Sequence, residues 1–254
     1  MSGSKIKLSV VSYLNSRPFI LSLEKSGVSE LMDISLDMPS DCAAKLLDGR
    51  VDIGLVPVTI IPQLKKAQII SDYCIAADGP VASVLLLSHT PIKDVKRILL
   101  DYQSKTSVQL VRILSKKLWK VEPEWIDAEP GYENNILGDT AGLIIGDRAL
   151  TAANLYPYVY DLSEEWKKLT GLPFVFACWV SNKTIDSAFL RKFNESLSHS
   201  VELIPEIITD QKFENLSKQQ VTDYFDNNIQ LVLDKKKKAG MDLFLKYIDE
   251  YHSI

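Results

Sequence analysis

Two rhythms of apolar and polar positions alternate along most of this chain. KLSVV, residues 7 to 11, is a short apolar strand, and the following segment turns helical at Pro18, a residue suited to the first helical position because its missing N–H costs nothing there. MDISLDM alternates with the period of a strand, and PSDCAAKLLDG follows as a helix with Ser40 as N-cap and Gly49 at C′. VDIGLVPV and PVASVLLLSH read as buried strands, and TPIKDVKRILLDYQS as a short helix leading into another. TSVQLVRILSKKLW has the helical period, with Val108, Val111, Leu114 and Leu118 on one face. WIDA, AGLIIGD, YVYDL and FVFACWV supply further strands, with RALTAANL and SEEWKKLTG as helices between them. From Asp186 onward the pattern is helical throughout, over 186–210, 217–227 and 236–252. The pattern predicts an α/β fold with a helical C-terminal tail.

A chain of 254 residues accommodates two compact lobes. No Gly- or Pro-rich tether divides it, so VASVLLLSH and FVFACWVSN are read as apolar strands running between the halves. This places residues 6–88 and 178–254 in a discontinuous lobe I and 89–177 in lobe II, closing on a ligand between them. The net charge of −4 argues against nucleic acid or an anionic membrane as partner, and KKKK at 235–238 is read as a solvated helix face. Cys42, Cys74 and Cys178 have no metal-ligand or disulfide spacing and are expected as buried thiols. Neither a secretory signal nor a membrane span is legible, so a cytoplasmic protein is expected.

Two segments have the chemistry of an anion site. In SYLNSRPF, residues 12–19, Asn15 or Ser16 would cap a helix whose free N–H groups lie beside Arg17. In QSKTS, residues 103–107, Ser104, Thr106 and Ser107 stand where the next long helix begins. Ordinary capping explains QSKTS equally well, and a structural ion pair explains Arg17 equally well. Asp147, where the strand AGLIIGD gives way to a helix, is either a cap or a site carboxylate, and Asp101 and Asp52 are placed similarly. His89, His199 and His252 fall outside all of these segments. Trp119, Trp125, Trp166, Trp179, Phe174 and Phe176 are expected in the core, with Tyr13 as the aromatic to watch.

Taken in order, SYLNSRPF, PSDCAAKLLDGRVDIGLVPV, GPVASVLLLS, LDYQSKTSVQLVRIL, AGLIIGDRAL and YDLSEEWKKLTGLPFVFACW resemble the chorismate dehydratases of the futalosine route to menaquinone, over residues 6 to 180. The resemblance implies a two-lobed fold like that of type II periplasmic binding proteins. It also implies elimination of water from chorismate to 3-[(1-carboxyvinyl)oxy]benzoate with no metal or organic cofactor. Chorismate is a dicarboxylate, which the two anion-site segments would suit. Candidate substrate-binding residues are then Ser12, Tyr13, Ser16, Arg17, Ser104, Thr106 and Ser107, and candidate catalytic residues Asn15, Ser83 and Asp147. The base is either Asp147 or the substrate's own enolpyruvyl carboxylate. Rival readings are a 1,4-dihydroxy-6-naphthoate synthase-like enzyme of the same pathway, a solute-binding protein for a small carboxylate and the effector domain of a regulator. Monomer or homodimer is open at this level.

Overall fold

A computed structural model describes residues 5–210 and 215–252. The first elements are β1 (Ile6–Val11), α1 (Arg17–Lys25), β2 (Met32–Asp37), α2 (Pro39–Leu47), β3 (Ile53–Pro57) and β4 (Gln68–Ala77). Next come β5 (Val84–Ser88), β6 (Arg97–Leu100), α3 (Lys105–Leu114), β7 (Glu124–Asp127), β8 (Thr140–Ile145), α4 (Asp147–Ala152), β9 (Tyr158–Asp161) and α5 (Leu162–Thr170). They are followed by β10 (Phe174–Ser181), α6 (Ser187–Ser198), α7 (Ile204–Asp210), α8 (Lys218–Asn227), β11 (Gln230–Val232) and α9 (Lys235–His252).

The strands sort into two mixed sheets. One has the order β11-β4-β10-β3-β1-β2 and the other β7-β6-β8-β5-β9. β1 runs parallel to β2 and β3, while β10 is antiparallel to both β3 and β4; in the second sheet β5 is antiparallel to β8 and β9. Among the described residues the chain passes between sheets only in residues 78–83 and, on its return, in 171–173. These are DGPVAS and GLP, short turn-forming stretches and not the continuous apolar strands expected from the sequence. β5 pairs only within the second sheet, so the change of sheet precedes residue 88.

Other local expectations are corrected. Met38 is the N-cap of α2 and Pro39 its first residue, because proline's restricted φ sets the helix there ahead of Ser40. The buried face of α3 is wider than the predicted stripe: Thr106, Ser107, Leu110, Val111, Ile113 and Leu114 are buried, and Val108 only partly. The helical tail is interrupted by β11, which closes the edge of β4. Within KKKK, Lys237 is 4% exposed, and its Nζ donates to Asp234 Oδ2 at 2.6 Å. The Lys237 N–H also donates to Asp234 Oδ1 at 2.9 Å, so an acidic cap offsets the unfavourable cluster of cations at the α9 N-terminus.

α9 bridges the two halves. It packs on β10 of the first sheet and on α3 beside the second, with Phe244 edge-on to Phe174 and Trp166 and Lys117 Nζ 3.2 Å from Glu250. Near the other edge, Ser9 Oγ (2.7 Å), Ser35 Oγ (2.6 Å) and Lys45 Nζ (2.6 Å) all donate to Asp37. Burial alone would raise the Asp37 pKa, but these donors outweigh it, so the carboxyl titrates below its ordinary value. The resulting stabilisation is present above the ordinary carboxylate pKa and is lost as pH falls through the lower native one. Asp37→Asn is therefore expected to cost about 1–2 kcal/mol at pH 7, with the gap to wild type closing below about pH 4. Urea midpoints measured across that range check this, and a gap independent of pH would contradict it.

Candidate functional site

A cleft partly open to solvent lies between the sheets; it measures about 540 Å³ with the solvent at its mouth included and about 60 Å³ without it. β1 ends at its wall with Val11, and the 3₁₀ turn that follows brings Tyr13 and Asn15 into it. The crossing segment adds Val81 and Ser83, the start of α3 adds Ser104, Thr106 and Ser107, and the end of β8 adds Ile145 and Gly146. Gly146 has φ +67°, and a Cβ there would sit 2.8 Å from the Tyr13 ring, so only glycine lets the ring lie against this turn. Phe176, expected in the core, also lines the cleft. It occupies a β-bulge, where β10 advances from Val175 to Ala177 while β4 moves one residue from Ala76 to Ile75, and the extra residue turns its side chain toward the cavity.

The two anion-site segments fare differently. In SYLNSRPF the backbone donors are already engaged: Leu14 N–H donates to Asp147 Oδ1 (3.1 Å), Ser16 N–H to the Tyr13 carbonyl (3.2 Å) and Arg17 N–H to the Leu14 carbonyl. Ser16 occupies the N-cap position of α1, but its hydroxyl turns back to the Val11 and Tyr13 carbonyls, and the residue is fully buried. Ser12 and Arg17 are exposed and do not line the cleft, although Arg17 acts on Asp147 through its charge. This motif therefore contributes two side chains, Tyr13 and Asn15, in place of a nest of N–H groups.

At QSKTS the helix start itself faces the cleft. Ser104 is the N-cap of α3 and accepts from Ser107 N–H at 3.1 Å, and Thr106 Oγ1 meets Thr59 Oγ1 at 3.2 Å. The N–H groups of Lys105 and Thr106 precede the first intrahelical bonds and lie at the positive end of the helix dipole. Pro39 brings the N-terminus of α2 to the same cleft. Hydroxyls, the Asn15 amide and helix ends, with no charged side chain, form the polar part of the lining.

Several bonds join the walls. Tyr13 OH donates to Gln103 Oε1, which also accepts from Arg148 Nη2 at 3.2 Å. Arg148 is paired with Asp101 (2.5 Å) and Glu133, and Tyr132 OH lies 2.8 Å from Asp101. Burial, together with the negative charge of Asp101, pushes the Tyr13 phenol well above its ordinary pKa. Asp147 ties the start of α4 to Leu14 and does not line the cleft; burial raises its pKa, opposed by the Leu14 N–H and the charge of Arg17. Ser83 and Asn15 meet behind the cleft wall at the hydroxyl of Tyr224, a residue no local pattern marked: Ser83 Oγ is 2.9 Å from it and Asn15 Nδ2 3.3 Å.

A family model described as menaquinone biosynthesis matches residues 6–250. The chain belongs to this menaquinone biosynthesis family. Relatives include a chorismate dehydratase of Thermus thermophilus, 31% identical over 191 residues covering 68% of each chain. Another, from Campylobacter jejuni, is 27% identical over 245 residues, covering 93% of this chain and 94% of the relative. Among solved structures, an Archaeoglobus fulgidus protein has TM-score 0.78 at 13% identity, with full coverage of both chains. The periplasmic aliphatic sulphonate binding protein of Escherichia coli has TM-score 0.64 at 14% identity, over 100% of this chain and 94% of that one. At these identities the likeness is one of fold, and it establishes the two-lobed periplasmic-binding-protein-like architecture.

Of the residues expected at the site of this family member, Tyr13, Asn15, Ser83, Ser104, Thr106 and Ser107 converge on one cleft. Ser12, Ser16, Arg17 and Asp147 surround it without lining it. His89 is exposed beside Tyr156, His199 is exposed beside Glu202, and neither lines the cleft; the His252 side chain lies outside the described residues. Among the described residues no helix is long and apolar enough to cross a membrane.

Proposed function

We propose that the protein is a carbon–oxygen lyase that eliminates water from chorismate, giving 3-[(1-carboxyvinyl)oxy]benzoate, in the cytoplasm and as a step of menaquinone formation by the futalosine route. The observation that carries the reading is the convergence of Asn15, Ser83 and the α3 N-terminus on one uncharged cleft in a chain of this family. The two sheets are taken as the cores of two lobes that divide at 78–83 and 171–173.

Elimination removes the proton from the ring carbon bearing the ether while the neighbouring hydroxyl departs, and the ring becomes aromatic. That proton is γ to the ring carboxylate, so charge left behind spreads onto it. Ser104, Thr106, Ser107 and the first N–H groups of α3 would hold that carboxylate and stabilise the charge as it develops. The enolpyruvyl carboxylate remains as the base, since no charged side chain in the lining pairs with it and weakens it. Its proton completes the departing water. Asn15 and Ser83 would orient the ring and hydrogen-bond the leaving hydroxyl.

Asp147 is the rival base, and its bond to Leu14 gives it a structural occupation instead. Incubation with chorismate, followed by the loss of chorismate and the rise of the aromatic product, tests the reaction. In that assay Asp147→Asn is expected to retain turnover within about tenfold of wild type, whereas loss of a general base costs about 10²–10⁴. An analogue lacking the enolpyruvyl carboxylate is expected to be inert. If the analogue still eliminates water and Asp147→Asn does not, Asp147 is the base. Chorismate binding without any product would favour a solute-binding protein.

A further inference from the structure

Tyr224 stands on α8, in the part of the chain without motif segments, and is 2% exposed. Its hydroxyl sits behind two residues of the cleft wall, 3.3 Å from Asn15 Nδ2 and 2.9 Å from Ser83 Oγ. Burial drives the phenol pKa upward against the opposing hydrogen bonds, so the group remains protonated at neutral pH. A neutral phenol has one proton to donate. Asn15 Nδ2 is itself a donor and offers no lone pair, so Ser83 Oγ is the partner able to accept that proton. The Ser83 hydroxyl then has its own proton for a partner other than Tyr224, and Ser83 lines the cleft.

We propose that Tyr224 is a positioning residue that fixes the direction of the Ser83 proton, making Ser83 a hydrogen-bond donor to the departing hydroxyl. The inference rests on the dehydratase reading above and extends it to the helical tail. No proton is transferred from Tyr224 or Ser83: the water that leaves is completed by the proton removed from the ring carbon. Without the phenol oxygen the Ser83 hydroxyl is free to rotate, and the leaving group loses an aligned donor.

Tyr224→Phe removes that oxygen and keeps the ring. The expected result is a kcat about tenfold lower, the scale of one hydrogen bond, with KM for chorismate and the urea midpoint little changed. In a Ser83→Ala background the same change is expected to alter kcat by less than about twofold, because the proton it orients is gone. A merely structural role would lower both backgrounds equally, and that result overturns the proposal, as does an unchanged kcat for Tyr224→Phe in an active wild-type protein. If wild type does not dehydrate chorismate, the dehydratase reading falls and this inference with it; if wild type is active and the variants behave additively, the inference falls alone.

Discussion

Ser83→Ala and Asn15→Ala are each expected to lower chorismate turnover by at least about a hundredfold while the protein stays folded. Both side chains line the cleft, and both are anchored from behind by one buried hydroxyl, so they are held in place before substrate arrives. A preorganised donor contributes more at the transition state than a mobile one, because no reorganisation is required as charge develops. The Ser83 backbone is also restrained. Ala82 has φ +59°, unusual for a residue with a Cβ, and the N–H groups of Val81 and Ala82 donate to Asp161 Oδ2 at 2.8 and 2.7 Å. The same carboxylate caps α5 through Ser163 and Glu164 N–H. Single-turnover rates with chorismate, alongside circular dichroism and urea midpoints, provide the check. A folded variant with wild-type turnover would remove that residue from the mechanism.

Arg148→Met is expected to destabilise the protein by about 3–5 kcal/mol. The Asp101 side chain is fully buried, and Arg148, at 2.5 Å, is its counter-ion; Gln103 N–H and Tyr132 OH are further partners. Removing the guanidinium leaves a buried carboxylate with hydrogen bonds but no compensating charge. The second substitution Asp101→Asn in that background is expected to recover much of the loss, since an amide carries no charge to be compensated. Equilibrium unfolding of the two variants measures both effects. A loss below about 1 kcal/mol for Arg148→Met would show that the pair is effectively solvated.

The alternation of strand and helix periods made the fold class legible, as did the segments whose residues meet in the cleft. What escaped was set by tertiary context. β4 carries Ser71, Asp72 and Tyr73 in mid-strand and is exposed over its first part, so its pattern is blurred although it pairs along β10. β11 is three residues long and acquires its structure from the edge it covers. The anion site expected beside Arg17 was a sound local inference that failed because a 3₁₀ turn precedes α1 and its N–H groups are taken by nearby carbonyls and Asp147. Tyr224 lies 141 residues from Ser83 in sequence, and nothing in VTDYFDN indicates where that hydroxyl points. Phe176 is apolar and in a strand, and only the bulge tells it from its core neighbours.

Because α9 packs both on β10 and on α3, it works as a splint laid across a joint. Swinging the lobes apart requires the Lys117–Glu250 contact and the stacking of Lys117 over Tyr247 to be given up, along with the cross-cleft bonds of Tyr13 and Leu14. These contacts favour the assembled cleft over one swung open, which lessens the binding energy spent on closing it. The cost falls on entry, since a ligand too wide for the partly open mouth has to break them first.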